Sequence, residues 1–141
     1  MAKQAKDPAR QARGKQTKAQ MIARGWLSDD GITWLHHERG GSLYLVAGSG
    51  RVKVGKALTG RLGTRLAEHA ANGLTQVVWT VDYPAGGQRN VDLDEVACIA
   101  AIRDAFPPLE KADGLDGFRE SVWSDDPQAV LAVVRGVIAC G

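Results

Sequence analysis

The chain has 141 residues, room for one domain with a substantial core plus a tail, and its 44% hydrophobic and 24% charged residues are those of a soluble globular protein. No apolar run approaches the ~20 residues of a membrane span and the first residues lack an apolar signal core, so neither membrane insertion nor export is expected. Two cysteines, Cys98 and Cys140, with no CxxC pair, argue against a disulfide framework or a structural zinc and for a reducing cytoplasm.

The net charge of +2 is unevenly spread: residues 1–24 carry Lys3, Lys6, Arg10, Arg13, Lys15, Lys18 and Arg24 against Asp7 alone, which makes +6, and the rest of the chain carries −4. Residues 1–24 therefore read as a basic, flexible arm and residues 25–141 as a single domain. Such an arm suits a polyanion, most simply a nucleic-acid backbone, although a solvated tail has the same composition.

In chain order, Lys18–Leu27 is the first expected helix, Ser28–Gly31 a turn and Ile32–Leu35 a strand. On an extended segment His36 and His37 face opposite ways and do not share one ion. Residues 42–47 and 50–55 form a hairpin if Gly48-Ser49 is a two-residue loop with glycine first. That register sets Tyr44 opposite Lys53, and alternation puts Leu43, Leu45, Val52 and Val54 on one face and Tyr44, Val46, Arg51 and Lys53 on the other. Thr59 can cap a helix to Asn72 with Leu58, Leu62, Leu66 and Ala70 as its apolar stripe and Arg61, Arg65 and His69 beside it.

Residues 75–83 are the third strand, residues 92–106 a helix ended by Pro107-Pro108, and Asp126-Pro127 opens a last helix burying Val130, Val133, Val134, Val137 and Ile138. The expected fold is α+β: a small three-stranded antiparallel sheet flanked by helices, in the order β-β-α-β-α, with a basic N-terminal arm and an extra C-terminal helix. The four tryptophans, Trp26, Trp34, Trp79 and Trp123, are expected to pack in the core.

Glu95 is the sharpest local anomaly, an acid on the stripe formed by Cys98, Ile99, Ile102 and Phe106. Two readings stand: a ligand to a divalent cation, or the far half of an Asp92-x-x-Glu95 capping box. Arg65 and His69, one turn apart, can reach a single phosphate, and arginine can bond two of its oxygens. Tyr44 is either a packing residue or a base, the latter if Lys53 across the hairpin favours its phenolate.

Taken together, these segments resemble the GIY-YIG nuclease superfamily, in its short phage- and mobile-element-associated branches, over about residues 42–123. Ser42-Leu43-Tyr44 stands where the first motif ends in tyrosine. Lys53-Val54-Gly55 stands where the second has Tyr-Ile-Gly, in a variant led by lysine. Arg65 with His69 looks like the family's helix arginine and following histidine, and Glu95 like its metal-binding glutamate. Arg119 stands near a segment where many members have asparagine. The resemblance implies a DNA endonuclease of a bacterial or phage-infected cytoplasm, with RNA left open as a substrate. Glu95 would hold one Mg2+ or Mn2+, Tyr44 and Lys53 would activate water, Arg65 would stabilise the transition state and His69 would position or relay. The arm and Arg61 would add backbone affinity, and with no separate recognition domain either low sequence specificity or self-association, as a homodimer, is expected. Two rivals from other classes are a non-catalytic nucleic-acid binder on a decayed nuclease scaffold and a protein–protein adaptor using the valine-rich last helix.

Overall fold

The computed structural model describes residues 35–140. The expected helix at Lys18–Leu27, the basic arm, Trp26 and Trp34 lie outside them. The described part is α+β, with an antiparallel sheet of four strands. Its elements are α1 (Leu35–Arg39), β1 (Gly41–Gly48), β2 (Arg51–Leu58), α2 (Leu62–Ala71), β3 (Gln76–Tyr83), α3 (Val91–Ala105), β4 (Ser121–Trp123) and α4 (Pro127–Cys140). The strand order is β3-β1-β2-β4.

Alternation along β1 and β2 builds a core on each face of the sheet. Leu43, Leu45, Ala47, Val52 and Val54 pack with Cys98 and Ile102 of α3 and Val130, Leu131 and Val134 of α4. On the other face Tyr44, Val46, Ala57 and Leu74 are covered by Leu62 and Leu66 of α2. Both faces carry the residues expected of them, with Tyr44 and Lys53 on the same side. Trp79 and Trp123 are half-buried rather than central.

The hairpin register is a correction. Gly48 pairs with Arg51 and Tyr44 with Gly55, so Lys53 lies opposite Val46 and only diagonal to Tyr44. The loop is Ser49-Gly50, both at positive φ (54° and 77°), as a type I′ turn requires. Gly48 is the last residue of β1, and the backbone of Gly73 passes where its Cβ would be, so the position requires glycine for a close approach and not for the turn.

Other expectations shift for related reasons. The sheet has four strands, not three, because the short segment Ser121–Trp123 pairs with Arg51–Lys53; three residues give no readable period. β2 runs on to Leu58, which removes Leu58 and Thr59 from the following helix. That helix begins at Leu62, with Arg61 at its N-cap position and no side-chain cap. Leu35, His36 and His37 are helical in α1, so the two histidines are not on an extended segment; the Ser28–Gly31 turn and the rest of the strand expected at Ile32–Leu35 lie outside the described residues. α3 is capped by Asn90, whose side chain accepts from the N–H groups of Asp92 and Leu93, so Asp92 is not the cap and Glu95 is not half of a capping box. α3 is anchored to β3 through Asp94, which accepts from the Tyr83 hydroxyl at 2.7 Å and from Arg89 at 2.9 and 3.0 Å. Among the described residues no helix is long and apolar enough to cross a membrane.

Candidate active site

β4 covers only the Arg51–Lys53 end of β2, and among the described residues the rest of that edge has no strand beside it. At this open stretch side chains from both faces of the sheet can meet. A cleft of about 490 Å³ opens there, lined by Tyr44, Lys53, Gly55 and Lys56 from the sheet, Arg65 and His69 from α2, Glu95 from α3 and His36 from α1, with Gly117 and Glu120 closing one side. Tyr44, Lys53, Arg65, His69 and Glu95, picked out along the sequence, all contribute to it.

The Tyr44 ring lies across Gly55. A Cβ there would overlap the phenol ring and hydroxyl, so the glycine is what lets the side chain reach the cleft. The Tyr44 hydroxyl lies 2.6 Å from Nε2 of His69. Arg51 Nη2 donates to the carbonyl of Asn72 at 2.6 Å, pinning the end of α2 to β2 just beyond His69.

The electrostatics correct the expected base. Burial pushes the Tyr44 phenol up to about 12, and the nearby Arg65 charge only partly opposes it. Lys53 does not favour the phenolate, because its ammonium is buried in an ion pair with Glu120. The His69 imidazole is held below its ordinary value, by burial first and then by the Lys53 and Arg65 charges. A neutral imidazole therefore sits beside a neutral phenol.

Arg65 is half-exposed and, among the described residues, pairs only with Glu68, at 3.7 Å along its own helix, a weak surface pair that leaves the guanidinium able to meet an anion. Arg61 is exposed, outside this cleft, and lines a neighbouring cavity of about 200 Å³ with Arg65 and His36. Arg119 stacks over the Phe118 ring at 5.5 Å from its centre, and the residues of that segment lining the cleft are Gly117 and Glu120 instead. Lys3, Lys6, Arg10, Arg13, Lys15, Lys18 and Arg24 lie outside the described residues.

Glu95 is 12% exposed, and its carboxylate has Lys56 Nζ at 3.4 Å. Burial raises its pKa in spite of that neighbour. Among the described residues no three His, Cys, Asp or Glu side chains converge as a metal cage. One buried carboxylate in an open cleft is nevertheless a donor set that suits Mg2+, which keeps waters and takes its other ligands from substrate phosphates.

Sequence reasoning missed Asp92, His36, Lys56 and Glu120. Asp92 is fully buried and accepts from Lys56 Nζ at 2.7 Å and from the His37 N–H at 3.0 Å, and lies 3.1 Å from His36 Nδ1. Burial works against its charge, but the His36, Lys56 and His37 hydrogen bonds prevail and hold the carboxyl at about 2. The signal was present in Asp92-x-x-Glu95, two acids one turn apart, but capping geometry explained it equally well. No protein-family model, no curated protein and no solved structure matches the chain.

Proposed function

We propose that the protein is a metal-dependent endonuclease that hydrolyses the phosphodiester bonds of DNA, in the manner of the GIY-YIG nucleases its motifs resemble. The observation that carries this reading is the convergence of Tyr44, Lys53, Arg65, His69 and Glu95 on one cleft. A buried acid, a half-exposed guanidinium and a hydrogen-bonded phenol–imidazole pair are the parts that phosphodiester hydrolysis needs.

Glu95 would hold the cation, which when bound neutralises charge on the scissile phosphate and the leaving oxygen. Arg65 binds the non-bridging oxygens and offsets the charge that grows on them in the five-coordinate transition state. Tyr44 takes a proton from the attacking water as its own proton passes to Nε2 of neutral His69, so no free phenolate is needed. Lys53, paired with Glu120, keeps its charge beside the phosphate path and helps to hold His69 neutral.

A second reading, a non-catalytic nucleic-acid binder, is favoured by the Lys53–Glu120 pair, which ties up one of the cleft's cations. Supercoiled plasmid separates the two. The nuclease nicks or linearises it in Mg2+ or Mn2+ and stops when the metal is chelated. A binder retards it on a gel in either condition and leaves it intact.

A further inference from the structure

The cleft holds a second imidazole that no step above uses. His36 lines the cleft, and its Nδ1 lies 3.1 Å from Oδ1 of Asp92. Asp92 is fixed in turn by the His37 N–H and by Lys56. An immobile buried carboxylate selects the tautomer and orientation of its imidazole. With Nδ1 taken, Nε2 is the ring nitrogen left to serve the cleft, on a side chain that is 19% exposed.

Among the described residues, the other candidates for proton donor that line the cleft are committed. Lys53 is bound to Glu120, Lys56 to Asp92 and Glu95, and His69 Nε2 to the Tyr44 hydroxyl. Arg65 does not give up a proton in a protein. Tyr44 and His69 come from the face of the sheet that α2 covers, whereas Asp92 belongs to α3, across the sheet, and α1 packs against α3. Displacement at phosphorus sets the attacking and leaving oxygens roughly in line, so base and acid belong on opposite sides.

We propose that His36, oriented by Asp92, is the general acid that protonates the departing oxygen of the phosphodiester. The proposal rests on the hydrolase reading above. As the bond from water oxygen to phosphorus forms, the bond from phosphorus to the leaving oxygen breaks. The water's proton leaves through Tyr44 to His69. The Nε2 proton of the His36 imidazolium passes to the leaving oxygen, which departs as an alcohol; His69 then releases its proton to bulk water and His36 takes one up from it.

The test uses the full chain and a duplex oligonucleotide in Mn2+. The wild-type cut position, and the product end that carries the phosphate, identify the bridging oxygen that leaves. A second duplex carries sulfur at that position, because a thiolate departs without a proton. His36→Gln, which keeps an amide to hydrogen-bond Asp92, is expected to slow cleavage of the oxygen duplex ~100-fold or more and to cut the sulfur duplex within about threefold of wild type. Equal slowing on both duplexes overturns the proposal, and a folding defect falls under that outcome because one preparation supplies both rates. Undiminished cleavage of the oxygen duplex overturns it as well, while leaving the hydrolase reading intact. A wild type that cuts neither duplex removes the hydrolase reading and the proposal with it.

Discussion

The Tyr44 hydroxyl and His69 Nε2 lie 2.6 Å apart, and burial disfavours the charged form of each. The pair is thus a neutral relay and not a phenolate held by lysine. Tyr44 and Tyr83 are the chain's two tyrosines, and both are raised, chiefly by burial. A spectrophotometric titration of the folded protein should show little tyrosinate below about pH 11. A tyrosine titrating near its ordinary value of 10.0 would restore the phenolate account.

Gly55 is where the Tyr44 ring crosses the sheet, so Gly55→Ala forces the phenol away from His69. The expected cost is about 1–3 kcal/mol of stability, read by denaturant unfolding, together with loss of cleavage. A Gly55→Ala variant with unchanged stability and activity would mean that the ring does not need this approach.

Asp92 carries a pH-dependent part of stability. Its folded pKa of about 2 lies below its ordinary 3.8, so the carboxylate favours the folded state above pH 4 and loses that contribution as the pH falls toward 2. The shift corresponds to about 2 kcal/mol. Asp92→Asn should flatten the fall in melting temperature across that acid window; a variant tracking the wild-type slope would show that the His36 and Lys56 bonds do not hold the charge.

How far the site was legible follows from which signals are local. Strand alternation gave the correct faces of β1 and β2, because burial on both sides of the sheet enforces the pleat. The register was missed because Ser49, not glycine, takes the first positive-φ position of the turn. Glu95 and the Arg65–His69 spacing were readable as residues on helices, since helical periodicity is local. Asp92, His36 and Lys56 were not, because their partners are brought together by packing of α1 and β2 against α3. Glu120 was hidden similarly, in a short turn with no period of its own.

The arm, read from sequence charge alone, should supply affinity and not chemistry. Deleting residues 1–18 should flatten the dependence of log affinity on log salt, since several released counterions go with it. Cleavage at saturating enzyme should persist. An unchanged slope would remove the arm from the interface.

Whether Glu95 serves a cation in a hydrolytic cleft is read from plasmid cleavage in Mg2+ with wild type and Glu95→Gln side by side. Asn90 caps α3, and burial already disfavours the Glu95 charge, so the variant should fold and melt no earlier than wild type. It should bind DNA at least as well, through loss of a negative charge, and cut at least ~100-fold more slowly, the scale of losing several kcal/mol of electrostatic stabilisation. Equal cleavage by the two proteins, or none by the wild type in either Mg2+ or Mn2+, would contradict the account.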